Sequence, residues 1–522
     1  MAKNNSFMYG AAILLMANLM VKVIGAVFKI PLTYILGETG MGLFSTSYTI
    51  YTWLFVIATA GFPVAISKMI AESTALGRGG ETNKIFKISL IVLGIIGVLG
   101  TAILFFFADA FSMMTTNTLM AAPGIRAIAP AVFGVAIMSV FRGYFQGRQN
   151  MFPTALSEVV ESFGKLLIGF AAAYLLVKKG VEYASSGAVF GVSMGAIIAM
   201  IMLMAVYITG KKKEKAEKGG EVSSAKTILK RLIVIALPIT IGASVFTLTS
   251  VIDLAMIMRR LAVAGIGEKD AIALYGLYSG YAIPIFNMPS TLVSSISVSI
   301  VPAIAAAYAC KNIDETQKII NGGLKITTLF ALPCAIGIAL LSNPILNLLY
   351  NNARATSMLS ILGYAVVFVS LVLVTNAILQ AIGKVWVPVI NMAAGGVLKI
   401  IINFFLVGNP SININGAPIG TTACYILILF LNLIVIAKTM GIKYDASSLL
   451  VKPLLSVAVM AVTVLVCYNI FGDMGRILSA AIPIFGGMVS YFAMILITKP
   501  LSDDEILMLP KGEKIIKILK RK

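Results

Sequence analysis

The stretch FMYGAAILLMANLMVKVIGAVFKIPLTYIL, from Phe7 to Leu36, is mostly apolar but contains two lysines, Lys22 and Lys29. A helix needs about 20 apolar residues to cross the hydrocarbon core of a bilayer, and this stretch exceeds that length. It is too long for the apolar region of a signal peptide, and no small-residue cleavage site follows it. We therefore predict a permanent transmembrane helix that carries two cations at membrane depth.

Similar stretches recur along the whole chain of 522 residues, of which 59% are hydrophobic and 12% are charged. This composition predicts an all-α polytopic membrane protein. Pro284 and Pro289 fall within the long eighth span, and we expect them to kink or break it. Turn-rich or charged interruptions define fourteen spans, at about 7–36, 41–67, 85–108, 118–146, 153–177, 185–209, 228–258, 272–307, 318–341, 356–381, 386–407, 416–437, 447–470 and 476–498.

A weak repeat crosses the longest polar stretch of the chain, at 210–227. Arg142, Gln146 and a following proline in the segment RGYFQGRQNMFP have a counterpart in ILQAIGKVWVP, which contains Gln380. Repeated halves around a midplane site are typical of alternating-access transporters, and both copies start from the same side, which makes the repeat parallel. The predicted domains are an N-lobe of six helices at 1–209, a basic cytoplasmic linker at 210–227, a C-lobe at 228–440, two appended helices at 441–498, and a basic amphipathic tail at 499–522.

The basic residues of the connections lie mostly on the side of the two termini. The positive-inside rule therefore predicts a multi-pass protein of the cell (plasma) membrane with both termini in the cytoplasm. Topology then explains most of the net charge of +20, and no nucleic-acid partner is needed. We expect the linker and the tail to contact anionic membrane lipids, the tail as a helix on the membrane surface.

We assign five basic residues to the membrane interior and the others to the connections and the ends of the spans. A cation at that depth is costly and usually faces a protein-lined cavity or a partner, so these are candidate sites for an anionic substrate. They are Lys22, Lys29, Arg126, Lys165 and Lys399.

In the first span, Asn18, Lys22 and Lys29 lie on one helical face, a stripe long enough to contact a diphosphate. The alternative is that the lysines extend to the nearer interface or pair with a buried acid.

Acidic residues inside the spans leave two interpretations open. Glu158 and Glu161 precede Lys165 on the same face, and Glu161 and Lys165 could neutralise each other within one helix. Asp253, in the seventh span, could pair with a cation or bind a coupling ion. All three are candidates for a coupling site or a structural ion pair.

Composition also argues against a cofactor. The chain has no histidine, and its four cysteines show no paired spacing, so neither a metal site nor a disulfide framework is indicated. No Walker-type phosphate-binding sequence occurs. We expect a monomer without cofactors.

Three segments carry a family resemblance: ILGETGMGLFSTSY (Ile35–Tyr48), ATAGFPVAISKMIAES (Ala58–Ser73) and RGYFQGRQNMFPTALSEVVE (Arg142–Glu161). They resemble the stage V sporulation protein B branch of the multidrug/oligosaccharidyl-lipid/polysaccharide exporter superfamily, which is similar to MurJ-type lipid II flippases. The resemblance implies fourteen helices in two lobes around a cationic cavity. It also implies a lipid-linked oligosaccharide substrate, used for peptidoglycan in growth or sporulation.

Only some of the site residues of MurJ-type proteins have counterparts in this sequence. Lys22 falls where MurJ-type proteins have a functional arginine, and Lys29 lies within a residue of their next one. Lysine keeps the charge but lacks the bidentate fork of arginine. In the eighth span, Pro284 and Asn287 replace the arginine and glutamate of the MurJ pattern.

Three functions are therefore compared. The first is a flippase for lipid-linked peptidoglycan precursor, which moves lipid without bond chemistry and is not an enzyme. The second is a multidrug/cation antiporter of the same fold, whose cavity should be lined with acids. The third is a membrane enzyme of wall sugars, which short loops and the absence of an extramembrane carboxylate pair disfavour.

Overall fold

The computed structural model describes residues 2–213, 223–441, 449 and 451–500, and it is helical with no strand among them. Half of the predicted linker (214–222) and nearly all of the predicted tail lie outside these residues. The chain divides into two compact units, Met1–Gly280 and Tyr281–Lys522, called here the first and second unit.

The helices of the first unit are α1 (Ala2–Thr59), α2 (Phe62–Ala75), α3 (Gly79–Phe106), α4 (Ala108–Thr116), α5 (Ala122–Gly147), α6 (Phe152–Leu176), α7 (Val181–Lys213), α8 (Ala225–Val263) and α9 (Glu268–Gly276). Those of the second unit are α10 (Ile283–Ala309), α11 (Ile313–Leu340), α12 (Ser342–Tyr350), α13 (Thr356–Ala381), α14 (Trp386–Val407), α15 (Gly416–Met440), α16 (Lys452–Phe471) and α17 (Leu478–Thr498).

The predicted all-α membrane fold is confirmed. Within the described part of the chain, thirteen helices are long and apolar enough to cross a membrane. The first of them contains two predicted spans, because α1 bends at Gly37 (φ 61°, ψ −166°) and continues. A left-handed φ of this kind carries no steric penalty for glycine, which has no Cβ. The thirteen helices therefore account for all fourteen predicted spans.

Two short helices were not predicted, and they occupy matching places in the two halves. Each has 9 residues, follows a 28-residue helix after a single-residue break, and precedes a helix of 26 residues. α4 ends at Asn117 and α12 at Asn351, both left-handed. Asparagine tolerates this conformation, which stops each helix with a sharp turn. The order of elements thus repeats, while superposition of the two lobes stays a prediction.

The helix of the eighth predicted span is not broken, but it is wider over one π-helical turn. A π-helical turn, Leu277–Ala282, joins α9 to α10, and Pro284 lies in the first turn of α10. Proline lacks an N–H group and crowds the preceding turn, which favours such an irregularity. The division of the chain into two units, between Gly280 and Tyr281, falls within this turn.

A glycine seam fixes how α6 packs on α7. A Cβ on Gly191 or Gly195 would overlap the backbone of α6, and a Cβ on Gly164 would overlap that of α7. Small residues of this kind let two transmembrane helices approach closely. The carbonyl oxygens of Glu161 and Lys165 lie against this seam, and their side chains reach α5 and α1 instead.

In the second unit, Tyr491 joins α17 to α11. Pro333 cannot donate a backbone hydrogen bond to the carbonyl oxygen of Leu329, four residues earlier. The Tyr491 hydroxyl donates to that oxygen at 2.6 Å. An apolar cluster that includes Leu332, Val457 and Met460 surrounds the contact. The last two helices are therefore anchored at a specific point of α11.

Candidate functional site

The ion pair between Arg142 and Glu161 is the centre of the charged cluster in the first unit. Arg142 Nη2 lies 2.9 Å from Glu161 Oε2, and Arg142 Nε donates to Ser157 Oγ at 2.9 Å. Both charged side chains are largely buried, with 14% and 23% exposed. The pair links α5 to α6. Glu161 is therefore engaged between helices, and the intrahelical pair with Lys165 that the sequence left open does not form.

Glu158 lies on α6, one turn before Glu161, and feels the charges of both Arg142 and Glu161. Its Oε2 atom is buried and accepts no hydrogen bond from the described residues. Of these two carboxylates, Glu161 is the one that Arg142 hydrogen-bonds.

Lys165 is held by aromatic rings. Its Nζ lies 4.7 Å from the ring centroid of Tyr48 and 5.3 Å from that of Phe28. Both distances fall within the range of about 6 Å in which a ring face attracts a cation. Phe44 packs against both rings, with centroids 5.9 Å from Tyr48 and 6.0 Å from Phe28. We call Phe28, Phe44 and Tyr48 the aromatic cage.

Lys29 lies beside this cage, half-buried and near enough to Lys165 for the two ammonium groups to repel each other. No carboxylate of the described residues lies within salt-bridge distance of either lysine. Two like charges that form no salt bridge with an acid of the described residues favour binding of an anion with more than one charge.

Asn18 and Lys22 stay on the first segment of α1, where both side chains are exposed. The Asn18 amide donates to the carbonyl oxygen of Leu14 at 3.0 Å, within its own helix. Lys22 precedes Lys29 by about 10 Å along the helix axis, from the rise per residue. The structure therefore keeps the predicted stripe, with Lys29 at its end near Lys165.

Arg126 is placed elsewhere. It pairs with Asp109 of α4 at 2.5 Å, and both side chains are partly exposed. Along α5 it lies about 24 Å from Arg142. Sequence reasoning did not consider Asp109 as a partner, because the short helix α4 that carries it was not predicted. The structure does not bring Arg126 to the lysine pair.

In the second unit, three helices share a network of amides and a hydroxyl. Asn391 Nδ2 donates to Asn432 Oδ1 at 2.8 Å. Asn432 Nδ2 donates to Asn376 Oδ1 at 2.8 Å and to Thr375 Oγ1 at 2.9 Å. Asn376 Nδ2 contacts Met392 Sδ at 3.7 Å. This amide network contains no charge.

The remaining candidates are dispersed. Lys399 is half-buried on α14, one turn before the fully buried Asn403. Asp253 is buried on α8, with 6% of its surface exposed. Gln146 is half-buried at the end of α5, whereas Gln380 is exposed at the end of α13.

Sequence reasoning missed the rings of the cage, although a signal was present. Phe44, Tyr48, Tyr51 and Phe55 are spaced four, three and four residues apart, which places them on one helical face. Their ring centroids follow one another at 5.7–5.9 Å in the structure. The spacing alone could not indicate that a lysine of another helix lies over Tyr48.

Comparisons with known proteins agree with this fold. The family described as polysaccharide biosynthesis protein matches residues 7–308, and the MatE family matches residues 238–405. Stage V sporulation protein B of Bacillus subtilis (strain 168) is 26% identical over 85% of this chain and 86% of that protein. The lipid II flippase MurJ of the same organism is 28% identical over 84% of each chain.

Two solved structures show the same architecture. Lipid II flippase MurJ in an inward closed conformation has a TM-score of 0.71 at 14% identity, over 93% of this chain and 98% of that one. An inward-facing MATE family multidrug resistance transporter of the MOP superfamily has a TM-score of 0.66 at 17% identity, over 83% and 98%. At these identities the likeness shows the fold alone.

Proposed function

Because the chain belongs to the polysaccharide biosynthesis protein family, within the multidrug/oligosaccharidyl-lipid/polysaccharide exporter superfamily, we propose that it is an alternating-access flippase. Its substrate is undecaprenyl-diphosphate-linked peptidoglycan precursor (lipid II) or a related lipid-linked oligosaccharide. It moves this lipid from the inner to the outer leaflet, and both termini face the cytoplasm.

One observation carries the proposal: Lys29 and Lys165 lie near enough to repel each other, and neither forms a salt bridge with an acid of the described residues. A diphosphate supplies the missing negative charge at a site where water is scarce and charge attraction is strong. Lys22 and Asn18 extend the positive stripe along α1. These side chains bind and orient the head group, and no bond is made or broken.

We propose the membrane potential as the driving force. One elementary charge that crosses 100 mV gains about 2.3 kcal/mol, and an inside-negative potential favours outward movement of an anionic head group.

A cation antiporter of the same fold is the alternative. It needs acids that are free to bind a cationic drug, whereas Glu161 is held by Arg142. Glu158 and Asp253 are the remaining acids inside the predicted spans, and they are the residues to substitute if cationic drugs are transported.

The test is a flipping assay in liposomes that contain defined lipid-linked oligosaccharides, with cationic drugs assayed in parallel. The wild-type protein should flip the diphospholipid, and a preference for cationic drugs would support the antiporter instead.

Complementation of a strain lacking its flippase tests the lysine stripe in cells. Lys22→Ala should abolish growth at normal expression, whereas Lys22→Arg should preserve it because a diphosphate responds chiefly to charge. An active, normally expressed Lys22→Ala protein would argue that Lys22 only extends to the membrane surface.

A further inference from the structure

We propose that Phe28 and Tyr48 are positioning residues, whose ring faces hold the Lys165 ammonium at the substrate site without neutralising it. The inference rests on the proposed function, since it assumes that Lys165 meets the diphosphate of a lipid substrate. It assigns a role to two side chains that do not themselves contact the charged groups of the substrate.

The geometry of the cage is specific. Lys165 Nζ lies over both rings, at 4.7 Å from the Tyr48 centroid and 5.3 Å from the Phe28 centroid. Phe28 and Phe44 are each only 1% exposed, and the Phe44 ring is stacked on Tyr48 with an interplanar angle of 9°. Tyr48 itself is 36% exposed, but its ring is stacked on the buried Phe44, and Phe44 also packs against the buried Phe28, so this packing restricts the position that the rings offer to the ammonium.

Rings and carboxylates hold a lysine with different consequences. A carboxylate would cancel the charge of Lys165 and compete with the diphosphate for its three N–H groups. A ring face attracts the cation through its quadrupole and leaves both the net charge and outward-facing N–H groups available. Glu161, one turn away on α6, would be the natural carboxylate partner, but Arg142 engages it at 2.9 Å. The Arg142–Glu161 pair therefore preserves the charge that the cage positions.

The cage also depends on the bend in α1. Phe28 precedes Gly37 and Tyr48 follows it, so the two rings belong to different segments of α1. They meet over Lys165 because the chain turns at Gly37. The cage is thus a tertiary feature built from two helix segments and α6.

Fluorinated phenylalanine provides a direct test, because each added fluorine weakens the negative ring face while the ring shape is nearly kept. Phenylalanine with zero to three fluorines is placed at position 28, and at position 48 in a Tyr48→Phe protein. Flipping of lipid-linked oligosaccharide by the full-length protein in liposomes is measured at several substrate concentrations. We expect KM to rise stepwise with fluorine number, by about 2- to 30-fold in total, with a smaller change in kcat.

The same series at Phe55 is the matched control. Phe55 continues the aromatic face of α1, and its ring packs against Tyr51 rather than Lys165. Its KM should not depend on fluorine number. Unsubstituted Tyr48→Phe should stay close to wild type, and Tyr48→Leu should resemble the fully fluorinated protein, because leucine fills space but lacks a ring.

The outcomes separate the two proposals. A wild-type protein that moves no lipid-linked oligosaccharide overturns the proposed function and this inference with it. An active wild type whose KM stays flat along the series at both cage positions overturns the inference alone.

Discussion

Arg142 in α5 of the first unit and Asn376 in α13 of the second occupy matching positions, each four residues before the glutamine of the repeated segment. Each also donates to the side chain four residues after the proline near the start of the next helix. That side chain is Ser157 for Arg142 and Met392 for Asn376. The two halves of the molecule thus use one contact position for different chemistry.

The first unit places charges at this position, and the second unit places amides. Arg142 also forms an ion pair with Glu161, and Lys165 and Lys29 form no salt bridge with an acid of the described residues. Asn376 accepts a hydrogen bond from Asn432, and Asn432 accepts one from Asn391. These amides form a neutral network inside the helix bundle. Amides that are hydrogen-bonded to each other within a membrane stabilise one helix arrangement. Cations there that have no salt-bridge partner are candidates for binding an anionic ligand. We therefore expect the charged junction to serve transport and the amide junction to serve stability.

The largest expected effect is removal of charge beside the aromatic cage. Lys29→Met and Lys165→Met should each lower the flipping rate by about 30-fold or more, because a desolvated contact between opposite charges is worth at least about 2 kcal/mol. Thermal stability should hold or rise, since mutual repulsion is relieved. Rates per folded protein in liposomes and a melting curve in detergent provide the two readouts. Full activity of both variants would contradict the division of roles.

A comparable change in the second unit should show the opposite pattern. Asn432→Ala removes three hydrogen bonds in the amide network. At about 0.6 kcal/mol for each bond between membrane helices, the free energy of unfolding should fall by about 2 kcal/mol. Denaturation in detergent measures this loss. Flipping per folded molecule should stay within about twofold, and a transport defect without destabilisation would assign the network to the substrate path.

Arg142→Met tests whether the ion pair protects Lys165. With Arg142 removed, Glu161 is free to pair with Lys165 one turn away and neutralise it. The single variant should lose about 1.5–3 kcal/mol of stability together with most transport. The double variant Arg142→Met/Glu161→Gln should recover transport, because the carboxylate one turn from Lys165 is then replaced by a neutral amide. Equal transport by the single and double variants would show that Arg142 acts in another way.

The smallest effect is expected at the other charged pair of the first unit. Arg126 and Asp109 are partly exposed, and a pair of this kind contributes at most about 1 kcal/mol. Arg126→Gln should therefore change stability and flipping only slightly in the same two assays. A loss of flipping rate as large as that of Lys165→Met would indicate that Arg126 belongs to the substrate site.

Much of the fold was accessible from the sequence. Apolar length predicted the membrane helices, and charged or turn-rich interruptions located most of their ends to within five residues. The second predicted span, 41–67, instead crosses the break between α1 and α2. The spans predicted to end at 108 and 341 place the breaks after α3 and α11 within two residues, but the short helices α4 and α12 that follow them were missed. The boundary predicted between the first two spans, after residue 36, coincides with the kink at Gly37 that divides α1 into two helical segments.

The candidate site was accessible only in part. Spacing along one helix placed Lys22 with Lys29, and Glu161 with Lys165, on common faces. It could not decide the partner of Glu161, because both Lys165 and Arg142 were available in the sequence. The structure assigns Arg142, whose helix lies beside α6, and so leaves Lys165 to the rings of α1.

The sequence by itself determined that this protein is a bundle of membrane helices with rare cations at membrane depth, because hydrophobic length and charge are properties of each segment alone. The tertiary structure decided which cations stay uncompensated. That outcome depends on how neighbouring helices are rotated and aligned, and the glycine seam between α6 and α7 sets this for Glu161 and Lys165. Close contact at Gly191 and Gly195 turns both side chains away from α7, toward the arginine of α5 and the aromatic cage of α1.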